Sequence, residues 1–452
     1  MHRKNNLRRF LVCSLASLGL LQFAGPVSAI GLVQTYEEAL QNDPTYRSAI
    51  HENEAGKQNL ALGRSNLMPN LSFNYSASKN RADVTAPNFL GQQTTTYPVY
   101  NSVVAQLILK QPVINLDGLA RYYIGKAQVK FSDAQFSART KDLALRVVGA
   151  YTDVKYAEDQ LALATAQRDA FAEQMKVNER LFQKGEGTKT DMLETQAKFD
   201  FAEAQVLEAR DIVQNARNTL AAIVGKEVTD LDSLTADFKV KPMQPSSYDE
   251  WQALALERNA EIAAQRYSLE GAEYEVKRNY AGYAPRLDFQ ASYNKNKSET
   301  INTYNQDSIV RTVGVQLVIP IYSGGYVSAA TSQAISNREK AKSDLEFRTR
   351  QVLVELRKQY NLMVSSTSKI NALSKAVDSA RLSVQANEKS VKSGLRINLD
   401  VLNAYEQLYL SQRDLARARY DYLLAYLRLR NAAGTLGVDD LNNVAGYFVA
   451  SR

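Results

Sequence analysis

The side chains best suited to chemistry are few, and their placement argues against a reaction centre. The 452 residues hold two histidines and one cysteine. His2 and Cys13 fall in an N-terminal stretch with basic Lys4, Arg8 and Arg9, a largely apolar run over residues 10–23, and Val27-Ser28-Ala29. That is the pattern of a cleaved secretory signal, so residues 1–29 are expected to be a signal peptide and the mature chain to begin near Ile30. Cys13 lies well before the cut and cannot become a lipidated first residue. Without it, disulfides, thiol catalysis and cysteine metal sites are excluded. His51 then stands alone in a polar helical stretch and reads as a surface residue. No enzyme, cofactor or metal site is expected.

The polar residues that do carry a positional signature follow glycines. Thr188, Thr190 and Asp191 come after Gly185 and Gly187, and Asp400 comes after Gly394. Behind a glycine turn such residues cap a new helix, and a carboxylate there is worth about 0.3–1 kcal/mol against the helix dipole. Positioning them requires two helical hairpins.

Charge adds little. Losing Arg3, Lys4, Arg8 and Arg9 takes four positive charges from the formal +7 and leaves +3. With no clustered Lys/Arg run in the remainder, nucleic acid is not an expected partner. No segment after the signal offers the roughly 20 uninterrupted apolar residues of a membrane-spanning helix. Entry into a membrane would have to use strands.

Those strands come from an internal repeat. Residues 69–80 (PNLSFNYSASKN) match residues 285–296 (PRLDFQASYNKN) at six positions with an offset of 216, and residues 185–225 match residues 394–434 with an offset of 209. The second match pairs Asp191 with Asp400 and Leu220 with Leu429. Both strand regions alternate: Leu71, Phe73, Tyr75 and Ala77 oppose Ser72, Asn74, Ser76 and Ser78, while Leu287, Phe289, Ala291 and Tyr293 oppose Asp288, Gln290, Ser292 and Asn294. A polar connection over residues 81–97 or 297–308 leads to a return strand, through Val103, Ala105, Leu107 and Leu109 in one half and Val313, Val315, Leu317 and Ile319 in the other. Each half therefore gives one strand hairpin, at 69–112 and 285–321.

The helical regions are marked by what they lack. Residues 113–241 and 321–452 contain no proline, as long helices require. Met363, Ile370, Val377, Val384 and Val391 recur every seven residues, with Leu373, Ala380 and Asn387 between them; Val154, Leu161, Met175 and Phe182, with Phe171 and Asn178, echo the pattern. Asn178 and Asn387 correspond, and a polar seam residue can fix register. Helices of about 70 residues, over 115–184 and 325–393, would reach about 100 Å. Each is followed by a glycine turn and a returning helix. The chain thus divides into a first repeat (30–225), a linker with Pro242 and Pro245 (226–247), a second repeat (248–434) and a C-terminal tail (435–452).

Four strands with a lipid-compatible face cannot close a barrel, because an open edge in hydrocarbon leaves backbone groups unsatisfied at several kcal/mol each. Symmetric closure multiplies four to 8, 12 or 16 strands, so the residues leave dimer, trimer and tetramer open. The signal, the repeated helix-hairpin-helix unit, Val-Ile-Pro-Ile-Tyr-Ser-Gly-Gly (318–325), Asn-Leu-Asp-Val-Leu (398–402) and Leu-Arg-Asn-Ala-Ala-Gly (429–434) together resemble the TolC family of outer-membrane efflux and secretion proteins, in its non-lipidated branch. The resemblance covers essentially the whole mature chain. It implies a mainly α fold with β: a homotrimeric α-helical tunnel joined to a shared 12-stranded outer-membrane β-barrel, four strands per chain. It further implies a passive exit duct for exported protein or small molecules, partnered by a periplasmic adaptor and an inner-membrane ABC or other transporter. The alternative is a periplasmic adaptor, which also combines coiled coils with β-structure.

Carried over position by position, the resemblance puts a periplasmic gate at the glycine turns. Thr190 and Asp191 match the hydroxyl and acidic partners of its closing network, Arg396 matches the basic partner, and Asp400 matches an aspartate of the narrowest ring. Gly185, Gly187 and Gly394 become the hairpin turns and the adaptor-docking tips. Two positions depart: Val391 replaces the gate tyrosine and Asn403 a second ring aspartate. Capping alone remains the competing account of Asp191 and Asp400.

Overall fold

A computed structural model describes residues 30–228, 230–299, 305–393 and 395–449; the signal at 1–29 and the turn residue Gly394 lie outside them. In chain order the first half runs α1 (Leu32–Asn42), α2 (Pro44–Ser65), β1 (Asn70–Arg81), β2 (Val84–Pro87), β3 (Gln93–Thr96), β4 (Val99–Ile114), α3 (Leu116–Gln183) and α4 (Lys189–Val224). A short strand, β5 (Ser233–Leu234), leads to the second half: α5 (Tyr248–Arg258), α6 (Ala260–Tyr280), β6 (Arg286–Glu299), β7 (Asn305–Val318), α7 (Tyr326–Lys392) and α8 (Asn398–Ala432). The chain ends in α9 (Val438–Ala445) and β8 (Phe448–Val449).

The internal repeat extends to the smallest breaks. Asp43 separates α1 from α2, and Asn259 separates α5 from α6, 216 residues later; each sits in extended conformation and accepts hydrogen bonds from the first turn of the helix that follows. The extended backbone interrupts the helix, and the side-chain oxygen replaces the missing acceptor. The long helices hold 68 and 67 residues, about 100 Å each at 1.5 Å per residue. The expected seam of α7 is buried at Met363, Ile370, Val377, Val384 and Asn387. It loosens toward the tip, where Phe182 is exposed and Val391 only half-buried. At the other end α2 crosses α3 so closely that a Cβ on Gly125 would lie 2.3 Å from the Asn59 carbonyl oxygen. Only glycine permits that crossing.

The strands form one antiparallel sheet in the order β1-β4-β6-β7, so the two hairpins pair side by side through β4 and β6. Register keeps the alternation in step across all four as far as a shift between Pro112 and Ile114, where β4 ends. Leu71, Phe73, Val313 and Val315 share one face and are 65–73% exposed in the single chain. A bare apolar face of that extent belongs against lipid rather than water. The strands run further than the alternation alone indicated. Within the 81–97 connection, β2 and β3 form their own hairpin, closed by an Asn88 side chain that accepts from Leu90 and Gln92 backbone N–H groups.

The largest core lies midway along the long helices, where Leu143, Tyr151, Leu220, Trp251, Leu356 and Leu427 are fully buried. Around it the linker and the chain end knit together. β5 pairs with β8, Tyr447 and Phe448 are buried, and Tyr151 Oη reaches the Ile30 and Asp232 carbonyl oxygens at 3.3 Å. Residues 436–449 are therefore folded into this belt.

Candidate functional site at the hairpin tips

Each tip is built by the helix that ends there. At the first, α3 stops at Gln183 and the backbone N–H groups of Glu186 and Gly187 return to the Leu181 carbonyl. Gly185 takes φ +75°, the left-handed conformation that closes the turn without a Cβ clash. Thr188 then caps α4: its Oγ1 accepts from the Asp191 N–H at 3.1 Å, while Asp191 Oδ2 accepts from the Thr188 N–H at 3.3 Å and from the Thr188 hydroxyl at 2.5 Å. This reciprocal capping box engages one oxygen of the Asp191 carboxylate, Oδ2, within the chain. Thr190 is exposed one turn position away.

The second tip is built differently. Ile397 occupies the cap position of α8 and has no side-chain oxygen to offer. Asp400 sits in the first turn without a capping bond, and its Oδ2 lies 3.8 Å from Arg396 Nη1. The two acids that correspond by the repeat thus have separate roles: Asp191 closes a cap, whereas Asp400 faces a guanidinium.

Between the tips opens a cleft of about 920 Å³. Asp191, Gly187, Val391 and Arg396 line it; Thr190 and Asp400 do not. Arg396 and Asp191, matched to the basic and acidic partners of the closing network, form no ion pair within one chain; the contact of Arg396 is with Asp400. Five acids, Asp169, Glu173, Glu186, Asp191 and Glu388, line this cleft with two bases, Lys392 and Arg396, while Asp169 and Glu173 pair with Arg168 and Lys176 at 2.7 Å, so acids outnumber bases along it.

Beneath the cleft lies a polar cluster that the spacing of the sequence did not disclose. Thr195, wholly buried, donates to the Asp191 carbonyl at 2.8 Å and accepts from Asn178 Nδ2 at 2.7 Å and Asn398 Nδ2 at 2.9 Å. Gln174 Nε2 adds a bond to Asn398 Oδ1 at 2.9 Å. Asn178 was legible as a polar seam residue; the rest of the cluster was not, because it joins residues as far apart as Gln174 and Asn398, 224 positions along the chain. The cluster ties the first helical hairpin to the second just behind the turns. Nearby, Tyr405 Oη donates to Glu388 Oε1 at 2.5 Å, and burial together with that carboxylate pushes the phenol up to about 12. His51 is exposed beside Glu54, as a surface histidine should be.

The profile of the family described as Outer membrane efflux protein matches residues 35–226 and 251–435. The chain belongs to the outer membrane efflux protein family. Among that family's proteins it is 43% identical over 446 residues to the Alkaline protease secretion protein AprF of Pseudomonas aeruginosa, covering 98% of this chain and 92% of that one. It is 36% identical over 427 residues to the Proteases secretion protein PrtF of Dickeya chrysanthemi, covering 94% and 92%. The solved structure of the outer membrane protein VceC from Vibrio cholerae shares the fold, with a TM-score of 0.76 at 19% identity over 89% of this chain and 96% of that one. The protein is thus an outer-membrane channel for efflux or type I secretion. The adaptor alternative finds no support among these relatives.

Proposed function

We propose that the protein is the passive exit duct of a protein-secretion machine, working as a homotrimer with a periplasmic adaptor and an inner-membrane ABC transporter, and carrying no enzymatic activity of its own. One observation carries the reading. A four-stranded sheet with a bare apolar face and two open edges, β1 and β7, is joined directly to helices about 100 Å long. Unpaired edges in hydrocarbon cost several kcal/mol per backbone group, so copies of the sheet must pair edge to edge. Three copies give twelve strands. Protein rather than drug export is favoured because the AprF and PrtF relatives carry secretion in their names and match over nearly the whole chain.

The gate belongs to the same reading. Asp191, Arg396 and Asp400, with Thr190 beside them, would stand at tips that meet on the three-fold axis, and Gly185 and Gly187, with the turn expected at Gly394, would mark the turns that an adaptor grips. With Asp191 engaged in its cap and Arg396 only loosely paired with Asp400, closure would run through contacts between neighbouring chains. In assembly terms, residues 30–225 and 248–434 act as two repeats, bound at mid-height by 226–247 and 435–452. Mild detergent extraction followed by light scattering tests the assembly. A stable trimer with an accessible Gly187→Cys label on the periplasmic side is expected; a monomer that still forms pores contradicts it.

A further inference from the structure

The sheet's polar face is almost devoid of charge. Strand register places the even-numbered residues of β1, β4, β6 and β7 on that face, where they are chiefly Ser, Asn, Gln, Thr and small or apolar residues. Among the described residues only three charged side chains stand on it, all at one level: Lys110, Arg286 and Asp288. Other strand charges, such as Lys79, Lys295 and Arg311, fall on the opposite face.

The three form a compact unit. Asp288 receives Lys110 Nζ at 3.1 Å and Arg286 Nε at 3.1 Å on both carboxylate oxygens. Its side chain is 3% exposed, whereas those of Lys110 and Arg286 are 42% and 44% exposed. Asp288 pairs with Pro112 at the irregularity where β4 ends, four residues before Leu116 opens α3. The unit therefore sits where the sheet joins the helices. It hides its anion and presents its cations, with a net charge of +1 per chain.

We propose that Lys110, Arg286 and Asp288 form a cationic collar at the junction of barrel and tunnel, which gives the duct an anion-favouring step distinct from the acid-lined cleft at the tips. The inference rests on the reading above, in which the polar face lines the pore of a trimer. Three copies would place +3 at one level of a lumen, with no other charge among the described residues of the polar strand face to cancel it. Solutes and chain segments bearing negative charge are then admitted more readily past this level than cations. The reach of such a collar is the Debye length, about 30 Å at 0.01 M salt and about 3 Å at 1 M. Its effect should span a wide lumen in dilute salt and vanish in concentrated salt.

The test is the reversal potential of the full-length channel in planar bilayers under a KCl gradient. Lys110→Glu, which turns the collar from +1 to −1 per chain, should lower the chloride-to-potassium permeability ratio by about twofold or more near 0.01 M and leave it unchanged at 1 M. Lys110→Gln should give about half that shift on a logarithmic scale, and serves if the glutamate disturbs assembly. Lys79→Glu makes the same charge change on the opposite face and should shift nothing. Conducting pores in which Lys110 and Lys79 variants behave alike overturn the collar alone. A wild-type protein that opens no pore overturns the duct and the collar with it.

Discussion

Thr195 shows how much one buried hydroxyl can hold. It accepts from two asparagines on different hairpins and donates to the Asp191 carbonyl, so removing it leaves the two buried amides only long contacts of 3.4 and 3.5 Å to that carbonyl. Each unsatisfied buried donor costs about 1–3 kcal/mol. Thr195→Val should therefore lower the thermal midpoint and loosen the tips, raising single-channel conductance, while Thr195→Ser restores both. A valine variant as stable and as closed as the wild type would remove the cluster from the account. Asp43 poses a pH question instead. Burial alone would raise its carboxyl pKa, but hydrogen bonds from Arg146 and the Tyr46 N–H, with the Arg146 charge, hold it below the usual carboxylate range. A depressed folded pKa contributes stability above the unfolded value of about 3.9 and loses it as pH falls through the folded value. Asp43→Asn keeps the cap and loses the charge, so it should cost about 1.5–3 kcal/mol at pH 7 and progressively less toward pH 3. Thermal unfolding across that range checks it: a pH-independent difference would mean that the ion pair contributes nothing.

At the scale of elements, the two faces of the sheet should respond oppositely to charge. Val315 lies on the apolar face and is 70% exposed in the single chain, and Thr312 lies on the polar face. A lysine facing lipid near mid-membrane costs about 2–4 kcal/mol. Val315→Lys should accordingly reduce the folded trimer recovered from outer membranes, while Thr312→Lys should leave it intact. Equal losses would show that the assignment of faces is wrong. These faces were readable in advance because the two-residue period of a strand survives in Leu71, Phe73 and Tyr75 and again in Val313, Val315 and Leu317. The seven-residue spacing from Met363 to Val384 made the long helix equally plain. What stayed hidden lacked a period. Eight residues of α9 are too few to declare a helix, and the β5–β8 pairing joins Ser233–Leu234 to Phe448–Val449 across the chain. Gln174, Thr195 and Asn398 meet only because two hairpins pack, and no local spacing announces that. The reciprocal cap at Asp191 and the absence of one at Asp400 depended equally on which residue, Thr188 or Ile397, the turn happened to deliver.

For the whole molecule, the decisive matter is whether three such chains make one duct that the tips hold closed. In the single chain Arg396 faces Asp400 at 3.8 Å with both groups substantially exposed, a pairing worth no more than about 1 kcal/mol. Arg396 is therefore free to turn toward a neighbouring chain at small cost, and Asp400 carboxylates are only partly neutralised. Planar-bilayer recording of the wild type, Arg396→Ser and Asp400→Ala, with trimer stability measured alongside, tests this most directly. The wild type should conduct weakly and be blocked by multivalent cations from the periplasmic side. Arg396→Ser should raise conductance several-fold and tighten the cation block, without loss of trimer; Asp400→Ala should weaken the block. Unchanged conductance and unchanged block in both variants would contradict a gate at the hairpin tips.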